Sequence, residues 1–195
     1  YSLDPVVFPD FATLEGNANL GRLTVTTATG NTDSDTFFEK IFVFGARSFS
    51  IRKTNGTLDY DSGDEFEQRT AALVPDLFGS DGTTASFNSR SDNKGPEPEG
   101  VTIGKVSGRT YAFIGLERTG GVMTYDISDP RRPFFVHYAN TSTAGISPDV
   151  SPEGLLFINE DDSPNGKPLL VVSHEISNTT TIFEINNNCS HRRRV

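Results

Sequence analysis

The fold class is decided by Val101-Thr-Ile-Gly-Lys-Val-Ser-Gly-Arg-Thr-Tyr-Ala-Phe-Ile-Gly-Leu-Glu-Arg-Thr-Gly-Gly-Val-Met-Thr-Tyr-Asp-Ile127. Three runs rich in apolar, β-branched and aromatic residues are separated here by the turns Ser107-Gly108 and Gly120-Gly121. Such turns join antiparallel strands, because glycine adopts the backbone angles that tight hairpins require. After a proline break, Phe134 to Tyr138 predicts a fourth strand. Four antiparallel strands in about 45 residues are typical of a β-propeller blade.

The same unit recurs towards the C-terminus. Three segments of the first unit have counterparts in the second, at offsets of 58, 58 and 54 residues: Tyr111-Ala-Phe-Ile-Gly-Leu-Glu117 with Leu169-Leu-Val-Val-Ser-His-Glu175, Tyr125-Asp-Ile127 with Phe183-Glu-Ile185, and Pro98-Glu-Gly-Val101 with Pro152-Glu-Gly-Leu155. A smaller offset upstream indicates an insertion of four residues within the second unit. Internal repetition of this kind is the sequence signature of propellers and related repeat folds.

A fainter third copy precedes both units, as Ile41-Phe-Val-Phe-Gly-Ala-Arg47 followed by Phe49-Ser-Ile51. It predicts strands over Lys40–Phe44 and Phe49–Ile51. The remaining strand predictions cover 101–106, 109–116, 122–127, 134–138, 169–173 and 180–185. One short helix is predicted over Asp64–Leu73, and the polar stretch Gly79–Gly95 predicts a long surface loop.

Together these patterns predict an all-β protein made of antiparallel four-stranded propeller blades. We divide it into an N-terminal extension (1–19), a partial propeller (20–185, with blades at about 20–75, 96–140 and 150–185) and a polar tail (186–195). Propellers usually need at least four blades to close. We therefore expect a missing N-terminal propeller chain or a second copy to complete the assembly as an oligomer. An open sandwich of the same strands is the alternative.

Charge and composition limit the partners. The chain has 195 residues and a formal net charge of -9, which repels nucleic acids and anionic membranes. Its sequence contains no apolar run long enough to span a bilayer. We expect no nucleic-acid partner and no membrane span, and the negative charge suits cations.

Four N-glycosylation sequons favour a secreted or cell-surface protein; they begin at Asn55, Asn140, Asn178 and Asn188. Cys189 is the single cysteine of the sequence, so it cannot form a disulfide within the chain. It is a candidate for an interchain disulfide with a completing chain.

Several segments carry a family resemblance: Gly45–Ile51, Asp61–Asp64, Ser91–Val101, Tyr111–Arg118, Gly121–Asp126, Gly154–Phe157 and Ser163–Pro168. In them the chain resembles the choice-of-anchor I family, a group that includes mesenchyme-specific cell-surface glycoproteins. The resemblance covers about Leu20 to Ile185. It implies a β-propeller that is secreted or surface-anchored, with an association with biomineral in some members and an alkaline-phosphatase-like label on others.

Acidic residues at repeat-equivalent positions form the first candidate site. Glu99 and Glu153 lie just before the first strand of their units. Glu117 and Glu175 lie at the end of the second strand of the same units. Equivalent positions meet around a propeller axis, so these carboxylates should converge, and converging carboxylates require protons, arginines or a cation. The candidate hub cluster contains Arg47, Glu97, Glu99, Glu117, Arg118, Glu153 and Glu175. It is either a site for Ca²⁺ or a set of salt bridges between blades.

The second candidate site is a loop in which Asn31, Asp33 and Asp35 alternate with hydroxyl residues. Oxygen ligands at alternate positions are typical of calcium loops. The full EF-hand pattern is absent, because Thr36 replaces the turn glycine and Phe42 stands where the twelfth-position glutamate belongs. A polar hairpin loop without a cation is the alternative.

Three functions are consistent with the sequence. The first is a non-enzymatic extracellular glycoprotein that binds calcium, a protein or a mineral surface, with a role in biomineralisation. The second is a metal-dependent phosphoesterase that uses the acidic ring. The third is a structural subunit completed by another chain. We find no signature of a serine or cysteine nucleophile.

Overall fold

The structure, a computed structural model, describes residues 1–141 and 149–186. Within this part the chain forms nine strands: β1 Ser50–Arg52, β2 Leu58–Asp61, β3 Pro98–Val106, β4 Arg109–Leu116, β5 Val122–Asp126, β6 Phe134–Ala139, β7 Pro152–Ile158, β8 Leu169–His174 and β9 Thr179–Glu184. It also forms the helices α1 Phe11–Leu14 and α2 Glu65–Leu73, and 3-10 turns at Pro75–Leu77 and Thr84–Ser86. No helix in the described ranges has the length and apolar character needed to cross a membrane.

The strands build three antiparallel sheets, in the orders β1-β2, β3-β4-β5-β6 and β7-β8-β9. The prediction of an all-β, antiparallel fold is confirmed. The glycine turns act as expected: Ser107 and Gly108 both have positive φ, at 48° and 81°, in the two-residue connection between β3 and β4. Because each strand pairs with the next along the chain, every sheet is a simple meander.

Strand β4 of the central sheet β3–β6 is covered on both faces. On one face Phe66 of α2 and Phe49 pack against β4 and β5, with Tyr125 fully buried between them. On the other face Phe113 and its neighbours pack against Leu170 and Val172 of β8. This double burial explains why β4 is a nearly continuous apolar run rather than an alternating one.

The predicted strands correspond to β4, β5, β6, β8 and β9 within one residue at each end, and β3 begins earlier than predicted, at Pro98. In the fainter copy nearest the N-terminus, Phe49–Ile51 corresponds to β1 with a shift of one residue at each end. The strand predicted over Lys40–Phe44 is wrong. Val43 makes only an isolated antiparallel bridge to Val25, and its neighbours are about half-exposed. A strand needs a ladder on at least one edge to satisfy its backbone, and this segment has none among the described residues.

The contact between β3 and β7 joins the second and third sheets. A Cβ atom at Gly100 would lie 2.5 Å from the carbonyl oxygen of Glu153, and one at Gly104 would lie 2.4 Å from the ring of Phe157. The ring of Phe157 in turn stacks on Phe113, with centroids 5.8 Å apart. Glycine is required at these two positions because the strands approach too closely for a side chain.

The opposite face of β3 is open. Val101 and Ile103 are 62% and 60% exposed there, and with Phe49 and Ile51 they line a cavity of about 350 Å³ beside β1. Their repeat equivalents Leu155 and Phe157 pack into the core. Val101 and Ile103 therefore lie on a surface whose equivalent in the following repeat is buried.

Candidate functional site

The site is built on a backbone frame that occurs twice. Glu97 and Ser151 precede the prolines that start β3 and β7, and both have positive φ, at 52° and 66°. The N–H of Glu117 donates to the carbonyl of Glu97, and the N–H of Glu175 donates to the carbonyl of Ser151, each at 2.9 Å. A register shift follows each proline. Left-handed residues and bulges often aim side chains at functional sites.

This frame brings five glutamates together. Carboxylate oxygens of Glu97, Glu99 and Glu117 lie within 4.8 Å of one another, and so do oxygens of Glu117, Glu153 and Glu175. The two triads share Glu117, which is 5% exposed at the end of β4. The glutamates that the sequence placed at equivalent positions therefore lie in one cluster where the second and third sheets meet. We call these five residues the glutamate cluster.

One half of the glutamate cluster is neutralised by basic side chains. Nε of Arg118 lies 2.7 Å from Glu97 and its Nη2 lies 2.6 Å from Glu117. Nζ of Lys94 is 2.8 Å from the other oxygen of Glu97. Burial opposes ionisation of Glu97, but hydrogen bonds from Lys94 and Arg118 outweigh it and lower the pKa of this carboxyl.

The other half carries unbalanced negative charge. Glu99, Glu153 and Glu175 are exposed, and none of them forms an ion pair with a described residue. The nearby charge of Glu175 raises the pKa of Glu153 above its usual value. Among the residues that the structure describes, these five carboxylates thus face two cationic groups, and the excess negative charge lies on the solvent side.

Glu117 is the most perturbed member. Burial raises the pKa of Glu117 from 4.5 to about 7, and hydrogen bonding to Glu99 and the charge of Glu97 add to the shift, although the charge of Arg118 opposes it. Its carboxyl also accepts a hydrogen bond of 3.4 Å from the hydroxyl of Ser151. A carboxyl with a pKa of about 7 changes its protonation state near neutral pH, unlike an ordinary surface glutamate.

The residues found at the cluster differ in two respects from those predicted from the sequence. Arg47 lies outside the glutamate cluster: its guanidinium pairs with Glu67 of α2 at 2.9 Å and donates to the carbonyl of Ser91. Lys94 and Ser151 contact the cluster and were not anticipated. The 54-residue offset aligns Ser151 with Glu97, so the repeat contained a signal for Ser151. The path of the long loop that carries Lys94 had no such signal.

The loop that forms the second candidate site contains a smaller group of acidic residues. Carboxylates of Asp33, Asp35 and Glu39 lie within 4.8 Å of one another. Asn31 serves the loop itself, since its Oδ1 accepts from the N–H of Ser34 and its Nδ2 donates to the carbonyl of Asp35. Hydrogen bonds from the side chain and backbone of Thr32 lower the pKa of Glu39. The loop is self-bonded as a polar turn, and Glu39 lies close to the two aspartates.

The sequons occupy different surroundings. Asn55 and Asn178 are exposed in hairpin turns, whereas Asn140 is partly buried and its amide nitrogen donates to the hydroxyl of Tyr138 at 2.8 Å. Asn188 and Cys189 lie outside the described residues. Exposure therefore favours the first two asparagines as acceptors.

We predict that Glu117 makes the stability of the fold depend on pH. Because its folded pKa is raised, its contribution to stability is complete below about pH 4.5 and is lost as the pH rises through about 7. The glutamine of the variant Glu117→Gln cannot ionise, so the variant lacks this pH-dependent contribution to stability. Its free energy of unfolding, relative to that of the wild type, should therefore increase with pH. Urea unfolding at several pH values measures the difference.

The control for this experiment is Glu160→Gln, which changes an exposed turn residue outside the cluster. Its unfolding free energy should follow the wild-type pH profile. Parallel profiles for Glu117→Gln and wild type would contradict the assignment.

Comparisons with known proteins find relatives at the level of sequence. The chain is 29% identical to Gigasin-3a of Magallana gigas over 191 residues, covering 88% of this chain and 66% of that relative. It is 31% identical to the mesenchyme-specific cell surface glycoprotein of Strongylocentrotus purpuratus over 110 residues, covering 47% of this chain and 14% of that relative. The chain thus spans just under two thirds of the first relative and a small part of the second. No solved structure matches it.

The chain also matches the model of a protein family. The model described as the choice-of-anchor I domain matches residues 1–130, which is more than half of the 195 residues. The matched region includes β1–β5 and the glutamates of the first triad. The chain belongs to the choice-of-anchor I domain family.

Proposed function

We propose that this chain is a non-enzymatic extracellular or cell-surface module that binds a divalent cation, Ca²⁺, in the glutamate cluster. The observation that supports the proposal is the convergence of five carboxylates from two repeats on a junction where the described part of the chain supplies two basic partners, Lys94 and Arg118. Such a junction would bind a cation between sheets rather than on a single loop.

The spacing of the oxygens suits calcium. Ca²⁺ binds six to eight oxygens at about 2.3–2.6 Å in flexible geometry, so oxygens of one site lie within about twice that distance of each other. Both triads of the glutamate cluster satisfy this limit, at 4.8 Å. The exposed half leaves room for water ligands, which the flexible coordination of Ca²⁺ accommodates.

Cation binding would also join the sheets. Glu99 and Glu117 come from β3 and the end of β4, and Glu153 and Glu175 come from β7 and the end of β8. A cation shared by these residues would replace repulsion across the junction by attraction. The module would then be most rigid in a calcium-rich medium, as the extracellular space is.

The test is calorimetric titration of the protein with CaCl₂ near neutral pH. We expect binding with proton release, because Glu117 has a raised pKa and must ionise to act as a ligand. The variants Glu153→Gln and Glu175→Gln should weaken binding by about tenfold or more, since each removes a charged ligand. Glu160→Gln should bind as wild type does.

Two outcomes would count against the site. Absence of Ca²⁺ binding to wild-type protein would leave the cluster as a set of salt bridges between sheets. Binding that Glu153→Gln and Glu175→Gln leave unchanged would place the cation elsewhere, for example in the group formed by Asp33, Asp35 and Glu39.

The extracellular assignment rests on the sequons and on the relatives. One relative is named as a cell surface glycoprotein, and Asn55 and Asn178 present exposed amides. We extend this location to the chain as part of the proposal. A negatively charged, calcium-binding surface would suit a protein or mineral partner.

Protein secreted from animal cells should carry N-glycans on Asn55 and Asn178, and little or none on Asn140. The reason is access: the amide of Asn140 is engaged by Tyr138, whereas the other two lie in exposed turns. Peptide mass spectrometry before and after enzymatic deglycosylation measures occupancy at each asparagine. Bare Asn55 and Asn178 in such protein would contradict a secretory origin.

A second candidate function is metal-dependent phosphoester hydrolysis. The observation that favours it is the sharing of Glu117 between two triads, because a bridging carboxylate is how many proteins hold two metal ions at about 3.5–4 Å. The variant Glu117→Gln, introduced above for the unfolding experiment, separates the candidates. Hydrolysis of a phosphate monoester that requires added metal and is lost in Glu117→Gln would replace the non-enzymatic assignment.

A third role, as a subunit completed by another β-sheet, is favoured by the open face of β3. Val101 and Ile103 are exposed, whereas their equivalents in the next repeat are packed against a neighbouring sheet. We propose that a preceding propeller chain or a second copy covers them. Light scattering of the chain should show association that Val101→Ser together with Ile103→Ser abolishes, and a monomer of 21.2 kDa in the wild type would contradict self-association.

A further inference from the structure

The outer edge of the third sheet carries unpaired backbone groups. Within the described ranges β9 pairs with β8 alone, whereas its repeat equivalent β5 pairs with β4 on one side and with β6 on the other. The N–H of Ile185 donates to the carbonyl of Pro168 on the β8 side, at 2.9 Å. Because the direction of these groups alternates along an antiparallel ladder, the backbone groups of Ile182 and Glu184 point away from β8. The edge therefore offers donors and acceptors to one more strand.

Strand β9 lacks the features that commonly protect the edge of a sheet. Lysine, proline and bulges prevent many edge strands from pairing with another chain. The sequence of β9, Thr179-Thr-Thr-Ile-Phe-Glu184, contains neither lysine nor proline, and its pairing with β8 has no register shift. Its acidic residue, Glu184, already pairs with Lys167 at 2.6 Å. The outer strand of the second sheet differs, because Pro133 precedes β6 and the pairing of β6 with β5 is bulged.

A mainly apolar groove lies beside this edge. It has a volume of about 450 Å³, and its lining reaches from β6 of the second sheet to β9 of the third. One wall presents Tyr111, Phe113 and Val122, and the other includes Leu170 and Phe183. All five residues also belong to, or pack against, the apolar core between the two sheets. The groove is therefore the outward continuation of that packed junction.

In the second sheet, β6 fills the equivalent space. Phe135 and Tyr138 of β6 pack against the cluster that contains Tyr125, and the ring centroids of Phe135 and Tyr125 lie 5.8 Å apart. Tyr125 is fully buried, whereas its repeat equivalent Phe183 is partly exposed and lines the groove. Among the described residues, the third sheet has no strand with counterparts of Phe135 and Tyr138. A strand beside β9 with such side chains would pair with the edge and fill the groove together.

We propose that the edge of β9 binds an extended segment of another polypeptide, which joins the third sheet as a fourth, antiparallel strand. The segment carries large apolar side chains on one face, as β6 does. Main-chain hydrogen bonds to β9 contribute affinity, and the side chains that enter the groove determine specificity. This edge is distinct from the open face of β3, and the inference holds whether or not the glutamate cluster binds a cation.

The probe is a fluorescent synthetic peptide with the sequence Pro133-Phe-Phe-Val-His-Tyr-Ala-Asn140, which contains β6, extended by lysines for solubility. It is titrated with the full chain in the presence of a chelator. The protein is first deglycosylated, so that a glycan on Asn178 cannot shield the neighbouring edge. Fluorescence anisotropy should show saturable binding. A peptide with Phe135→Ser and Tyr138→Ser should bind about tenfold or more weakly, because it can pair with β9 but cannot fill the groove.

Two variants of Ile182 separate the role of the backbone from that of the side chain. Ile182→Pro removes an outward N–H and no hydrogen bond to β8, so it should weaken binding of the peptide by about tenfold or more. The matched control Ile182→Thr keeps the N–H and changes a side chain that is 62% exposed, so it should bind as wild type does. If Ile182→Pro does not fold, hydrogen exchange of the wild type decides. The amides of Ile182 and Glu184 should then exchange about tenfold or more slowly with peptide bound.

Absence of saturable binding to the wild type would overturn the proposal. Binding that Ile182→Pro leaves unchanged, or that leaves exchange at Ile182 and Glu184 unchanged, would overturn it as well, because the peptide would then lie in the groove without joining the sheet. Light scattering tests the remaining occupant. Self-association of the chain that Ile182→Pro abolishes would assign the edge to a second copy and contradict the proposal.

Discussion

The close contact between β3 and β7 is the constraint on which the rest of the structure depends. At Gly100 and Gly104 the two strands approach without side chains between them, and Leu155 and Phe157 fill the adjacent space. This contact joins the second and third sheets and fixes the separation of their inner strands. The glutamates beside these glycines are therefore held together by packing, in spite of their mutual repulsion. Hydrophobic burial across the junction offsets the electrostatic cost at its rim.

The duplicated frame is geometrically symmetric and chemically asymmetric. Both repeats use a left-handed residue before proline and the same backbone hydrogen bond, yet one places Glu97 there and the other Ser151. In one repeat Arg118 follows Glu117 along the chain, whereas in the other the exposed apolar residue Ile176 follows Glu175. Counter-charges therefore accumulate on one side only. The geometry gathers the carboxylates, and the asymmetry decides which of them remain available to an external cation.

Much of this arrangement could be predicted from local sequence. The predictions that were wrong have physical reasons. Glycine turns defined β3–β5, and the repeat offsets placed Glu99, Glu117, Glu153 and Glu175 at equivalent ends of strands. Both signals are short-range or internal to the chain. Lys40–Phe44 has a strand-like sequence but lacks a neighbouring ladder. The positions of Arg47 and Lys94 depend on how a long irregular loop packs. Partners chosen by such long-range packing have no signature in local composition or spacing.

The enclosure of β4 on both faces has a consequence for how the molecule opens. A strand covered on two sides exchanges its amide hydrogens only when a whole layer separates, whereas an outer sheet can detach in a smaller fluctuation. Glu117 is anchored to the enclosed strand, and Glu153 and Glu175 belong to the outer sheet, whose β9 pairs only with β8 in the described residues. Partial opening would thus divide the cluster before the core unfolds. Such opening would move Glu153 and Glu175 away from Glu117 and relieve the repulsion among these carboxylates.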